Sequence, residues 1–147
     1  MTLYIEYIGN NYMIDTVETF ANDLQLSYVI ERAISFDYDK LQPLWSVPVQ
    51  WKITLRRRAG YGSTHGIYLH PGLQITTKKD LIETFLHEVG HAMEGFIYGR
   101  YGHSYNWVEQ MIRLGQVPKR THSIMSCMTK YIAQTTPVDI QKFIGSS

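Results

Sequence analysis

The sequence predicts an α+β fold: a small mixed sheet packed on an N-terminal helix and on the helix that carries His87-Glu88-Val89-Gly90-His91. Three observations lead there. Apolar residues alternate in two short stretches between positions 49 and 70, they recur at helical spacing from Leu81 to Met93, and Gly or Pro residues punctuate the chain between these segments. A chain of 147 residues can bury one core and is short for two, so residues 1–147 are read as a single domain.

Leu3, Ile5 and Tyr7 alternate with Tyr4 and Glu6, which predicts a first strand closed at Gly9-Asn10-Asn11. Asp15 is placed as the N-cap of a helix whose Val17, Phe20, Ala21 and Leu24 share one side. Residues 27–36 are left without an element. After Pro43 and Pro48, Val49, Trp51, Ile53 and Leu55 alternate with Gln50, Lys52 and Thr54 and predict a strand. Residues 59–64 read as a turn, and residues 66–70 as a further strand ended by Pro71-Gly72. Thr77-Lys78-Lys79-Asp80 resembles a capping box, and it opens a helix with Leu81, Ile82, Phe85, Leu86, Val89 and Met93 apolar and with stops at Gly95 and Gly99. Another helix is expected over about residues 104–114, and a short one after Pro137.

Composition narrows the function. A formal net charge of +1 gives no global case for phosphate binding, and Arg56-Arg57-Arg58 is the one strong basic run, with Trp51 or Tyr61 as aromatic partners in a nucleic-acid reading. Cys127 is the sole cysteine, so an internal disulfide and a four-cysteine zinc ribbon are both excluded. No signal peptide or membrane span is apparent, and the expectation is a cytoplasmic protein with no membrane partner.

The chemistry lies in the long helix. His87 and His91 stand four residues apart, so their rings leave one side on adjacent turns, opposite the apolar stripe. Neutral imidazoles bind Zn²⁺ well, and three protein ligands leave a fourth position for water, whose proton an adjacent carboxylate, Glu88, can take. The third ligand is open at this stage: His103 leads because Gly95, Gly99 and Gly102 let the chain turn back, with Glu109 as the alternative and His65, His70 and His122 as further histidines. Tyr98, Tyr101, Tyr105 and His122 are weighed as donors to an oxyanion, each against a plain packing or surface role.

Two family resemblances follow from these residues. The zinc helix, the downstream His103, His122-Ser123-Ile124-Met125-Ser126 and the segment from Thr136 to Gly145 together resemble the metzincins, particularly the matrixin-like branch, over about residues 66–145. That likeness implies a compact minimal metalloprotease domain, one Zn²⁺ per chain held by His87, His91 and His103, Glu88 as general base, and Met125 as an apolar floor. The chain departs from that pattern at Ile97, where the usual third histidine would fall, and at Cys127, where a tyrosine is usual. The zinc helix with Gly102-His103-Ser104-Tyr105-Asn106-Trp107 leading into a helix is also similar to the SprT-like metallopeptidases, over about residues 81–114. It implies the same ligands and base. The zinc ribbon or DNA-binding tail common in that group has no counterpart here, which leaves DNA as a secondary partner beside a protein or peptide substrate. The expected function is peptide-bond hydrolysis by a metal-activated water; the alternative is a zinc-stabilised protein- or nucleic-acid-binding module without proteolytic activity.

Overall fold

The computed structural model describes residues 14–52 and 58–119. The strand expected over residues 3–7, the second half of the strand expected to reach Leu55, His122 with the rest of the Met-turn, and the helix after Pro137 lie outside the described residues.

Strand β1 (Ile14–Thr16) runs directly into helix α1 (Val17–Asp23), followed by α2 (Ser27–Ser35), α3 (Tyr38–Leu41) and a 3-10 turn over Gln42–Ser46. Strands β2 (Pro48–Trp51), β3 (Gly60–Gly62) and β4 (Ile67–Leu69) come next, then a 3-10 turn over Pro71–Gln74, the long helix α4 (Lys78–Tyr98) and α5 (Tyr105–Arg113). The sheet order is β1-β2-β4-β3, with β2 and β4 parallel and the outer pairs antiparallel. This is the mixed sheet and α+β class that the sequence predicts.

Local chemistry sets most boundaries. The cap of α1 is Thr16, whose hydroxyl accepts from the Thr19 N–H at 3.2 Å, and not Asp15, whose backbone is committed to the sheet opposite Val49. The segment left unassigned is α2, which buries Ile30, Ala33 and Ile34 at helical spacing. The Thr77 hydroxyl accepts from the Asp80 N–H at 3.1 Å and donates to the Asp80 carboxylate at 2.9 Å, so the capping segment starts α4 as expected. Helix α4 passes through Gly95 and ends at Gly99, which adopts φ +71°. There a side chain would strain the left-handed backbone that closes the helix.

Val49, Ile67 and Leu69 alternate inward from the sheet, and the core continues through Val17, Ile30, Leu41, Phe85, Val89 and Met93. The rings of Phe20 and Phe85, 4.8 Å apart, join α1 to α4. Residues 60–62, expected to be part of a turn, instead form β3, paired as Gly60 with Leu69 and Gly62 with Ile67. The reason is tertiary. A Cβ on residue 62 would lie 2.2 Å from the Glu88 carbonyl oxygen, and one on residue 60 would lie 2.9 Å from the Glu88 carboxylate. Only glycine lets this strand approach α4 so closely. Among the described strands β4 is interior, so the outer strand beside the long helix is β3.

Candidate metal centre

Helix α4 is buried around most of its girth. The apolar stripe faces the core as expected, and the histidine side is buried too, because α5 lies across it. Gly90 permits the crossing, since a Cβ there would meet the Met111 sulfur at 2.7 Å and the Trp107 indole nitrogen at 3.1 Å. Trp107, wholly buried, then reaches the His87 carbonyl with its N–H at 3.4 Å.

The loop after Gly99 returns the chain to α4 and brings His103 onto the helix pair. His103 Nε2 lies 3.1 Å from His87 Nε2 and 3.1 Å from His91 Nε2. Tetrahedral Zn²⁺ with Zn–N bonds of about 2.0–2.1 Å needs nitrogens about 3.3–3.4 Å apart, so the two separations from His103 stand within a few tenths of an ångström of that spacing, and the three donor atoms all lie within 4.8 Å of one another. Ring nitrogens can stand this close either with a proton between them, as a hydrogen bond, or with a cation that all of them ligate. His87 is buried, His91 is partly buried and His103 is the most open of the three. The Trp107 ring backs all three, with centroids 4.8 Å from His87, 5.5 Å from His91 and 4.8 Å from His103.

Burial lowers the pKa of His91 to about 4, with the charge of His103 acting in the same direction. Both effects keep the ring neutral, the form that binds metal. Its Nδ1 stands 2.9 Å from Glu94 Oε1, and the same oxygen accepts the Gly102 N–H at 2.9 Å. With Glu94 Oε1 as acceptor, the His91 proton sits on Nδ1 and the Nε2 lone pair faces the cluster. Burial raises the Glu94 pKa and the Gly102 hydrogen bond opposes the rise.

The Glu88 carboxylate lies against β3 at Gly60. It is 4% exposed, and burial pushes its pKa up to about 8 while the positive charge of Arg58 pulls the other way. Arg58 is the one residue of the basic run that is described, and it acts here on a buried carboxylate.

The other candidates sit elsewhere. The Glu109 carboxylate accepts from Tyr98 at 3.0 Å and from Arg113 at 2.7 Å, and it is outside the three-histidine group. His70 caps the 3-10 turn by accepting the Gly72 N–H, and the His65 N–H is bonded to Ser63. The Tyr101 hydroxyl is joined to Thr64, whose N–H donates to it at 3.1 Å, and Tyr105 is exposed on α5. Sequence reasoning passed over Glu94 and took Trp107 for an apolar residue of a helix. The available signals were the three-residue spacing from His91 to Glu94 and the four-residue spacing from His103 to Trp107.

A family model described as the SprT-like family matches residues 30–128, about two thirds of the chain. This supports the second of the two resemblances; the metzincin likeness gains no support. No curated protein and no solved structure gives a match. No described helix is long and apolar enough to cross a membrane.

Proposed function

The chain belongs to the SprT-like family, and from that premise we propose that it is a single-domain, zinc-dependent metallopeptidase that hydrolyses peptide bonds in a protein or peptide. The observation that carries the reading is the convergence of His87, His91 and His103 through their Nε2 atoms, with Glu88 next to the first ligand on the same helix. The donor set fits Zn²⁺: three imidazoles with no thiolate and no fourth protein ligand among the described residues are the pattern of a hydrolytic site, whereas a purely structural site closes with four protein ligands. A Zn²⁺ bound there would lower the pKa of water and polarise a substrate carbonyl.

The protein's own groups do the rest. Glu88 takes the proton from the attacking water and returns it to the leaving amine. Arg58 favours the ionised carboxylate that this first transfer requires. Trp107 closes the site from behind and keeps water to the open side at His103. Strand β3, the outer strand beside Glu88, offers backbone groups on which an extended substrate segment can lie. The single cysteine is in keeping with a cytoplasmic setting.

The test is Glu88→Gln, assayed for zinc content and for cleavage of an unfolded protein substrate such as casein. Zinc is retained at one ion per chain and cleavage falls by about 10²–10⁴-fold or more, the range for loss of a general base. Cleavage at the wild-type rate would overturn the mechanism. Equal loss of partner binding on chelation in both proteins, with no cleavage by either, would instead favour a zinc-stabilised binding module.

A further inference from the structure

Two separate pieces of chain must meet to complete the metal centre. His87 and His91 are fixed on α4, but His103 comes from the loop after Gly99, where helical hydrogen bonding has ended. A loop ligand held only by its own backbone would sample many positions, and metal affinity would fall by the entropy of fixing it.

One side chain spans the gap. Glu94 Oε1 is 2.9 Å from His91 Nδ1 and 2.9 Å from the backbone nitrogen of Gly102, the residue immediately before His103. Glu94 is fully buried, and its Oε2 has no hydrogen-bond partner among the described residues. Burying a carboxylate with one oxygen unpaired is costly, and packing alone would be better served by an apolar side chain. The loop has a second fastening nearby: the Tyr101 ring fills the space where a Cβ on Gly95 would lie, 2.6 Å from the ring, and its hydroxyl meets Thr64.

We propose that Glu94 is a positioning residue of the metal centre, which through one oxygen sets the tautomer and direction of His91 and locks the His103 loop to the helix. The inference rests on the zinc reading above and deepens it. Glu94 touches neither metal nor substrate. By accepting from His91 Nδ1 it leaves Nε2 as the ligating atom, and its hydrogen bond to Gly102 places the third nitrogen before the metal arrives. The His91 ring and the His103 loop therefore respond together to any change at Glu94.

The test uses the full chain, stripped and reloaded with Zn²⁺, with affinity measured by competition against a chromophoric chelator and the fold checked by circular dichroism. Glu94→Gln keeps the shape and an acceptor oxygen but loses the charge, and Glu94→Ala loses both tethers. Affinity falls by about 10-fold for the first and about 100-fold for the second, the range for removing a partner of a ligating histidine. The Co²⁺-substituted variants also show altered visible bands, which a side chain that only packs would leave unchanged. Affinities within about 2-fold of wild type in folded variants would overturn the proposal, because partners of ligating histidines cost far more. Should Glu94→Ala fail to fold, the imidazole ¹⁵N spectrum of zinc-loaded wild type decides: a proton on His91 Nδ1 with metal on Nε2 is expected, and metal on Nδ1 overturns it. A wild-type chain that binds no Zn²⁺ would sink the zinc reading and the role of Glu94 with it. Wild-type binding with indifferent variants would remove only the latter.

Discussion

Replacing Gly62 with alanine tests how tightly the outer strand is set against the zinc-binding helix. The new methyl would lie 2.2 Å from the Glu88 carbonyl oxygen, with the Glu88 carbonyl carbon and Cα at 2.8 and 2.9 Å. Ordinary contact begins near 3.4 Å, so the strand or the helix must give way by about 1.2 Å. All three obstructing atoms are backbone, and no rotamer change can relieve them. Strand β3 is also held to β4 by the pairing of Gly62 with Ile67 and by the Ser63 N–H to Gly66 bond, so a shift breaks ladder hydrogen bonds as well. The expected cost is about 2–3 kcal/mol, the upper part of the range for overpacking. Gly102→Ala is the control, because its added carbon would meet nothing closer than the Ser104 nitrogen at 3.9 Å and alanine keeps the N–H that Glu94 accepts. It should lie within about 0.5 kcal/mol of wild type, as an unobstructed substitution does. Urea unfolding of the metal-free proteins, followed by circular dichroism, measures both. A Gly62→Ala midpoint indistinguishable from that of Gly102→Ala would refute the close approach of β3 to α4.

Other expectations follow from the same geometry. His103→Ala should fold and lose most of its zinc at micromolar chelator; unchanged zinc by elemental analysis would remove His103 from the ligand set. Trp107→Ala empties a fully buried site and should destabilise the protein by about 3–5 kcal/mol in the same urea assay. Gly99→Ala should cost about 1–2 kcal/mol, since φ is +71° and no contact compensates. The pKa of His70 is lowered by burial, and its Nδ1 must be unprotonated to accept the Gly72 N–H. The folded chain therefore resists a proton that the unfolded chain takes up near pH 6.5, and the stability His70 contributes is full above that pH and declines as pH falls below it. The stability advantage of wild type over His70→Asn should shrink from pH 7 to pH 5, and parallel pH profiles would refute the cap.

Helix α4 was legible because its cap, its apolar period and its terminal glycine agree, and each is a local property of the sequence. The pair His87 and His91 came with it. His103 was reachable from the glycines that precede it and was preferred to Glu109; the engagement of the Glu109 carboxylate by Tyr98 and Arg113, which occupies that alternative, was not legible. Strand β3 was hidden for a physical reason: Gly60-Tyr61-Gly62 has the composition of a turn, and its glycines answer to Glu88, a residue distant in sequence. Gly95 misled in the same way, read as a helix stop when its missing side chain makes room for Tyr101. In α2 the aromatic and β-branched residues Tyr28, Val29 and Ile30 obscured a helix that tertiary burial stabilises. A lone acid such as Glu94 on a helix resembles solvated surface until its partner across the loop is seen.

The ring of Trp107 also gives the centre an optical handle. An indole within 4.8–5.5 Å of all three histidines is close enough for its excited state to be quenched by a bound paramagnetic ion. Its emission should dim when Co²⁺ binds and hold when diamagnetic Zn²⁺ takes the same place. Trp45 and Trp51, part of the periphery of the core, supply a background against which that change is read. The residue that walls off the site thus doubles as a gauge of its occupancy, and metal exchange can be timed by fluorescence in the native chain without any label.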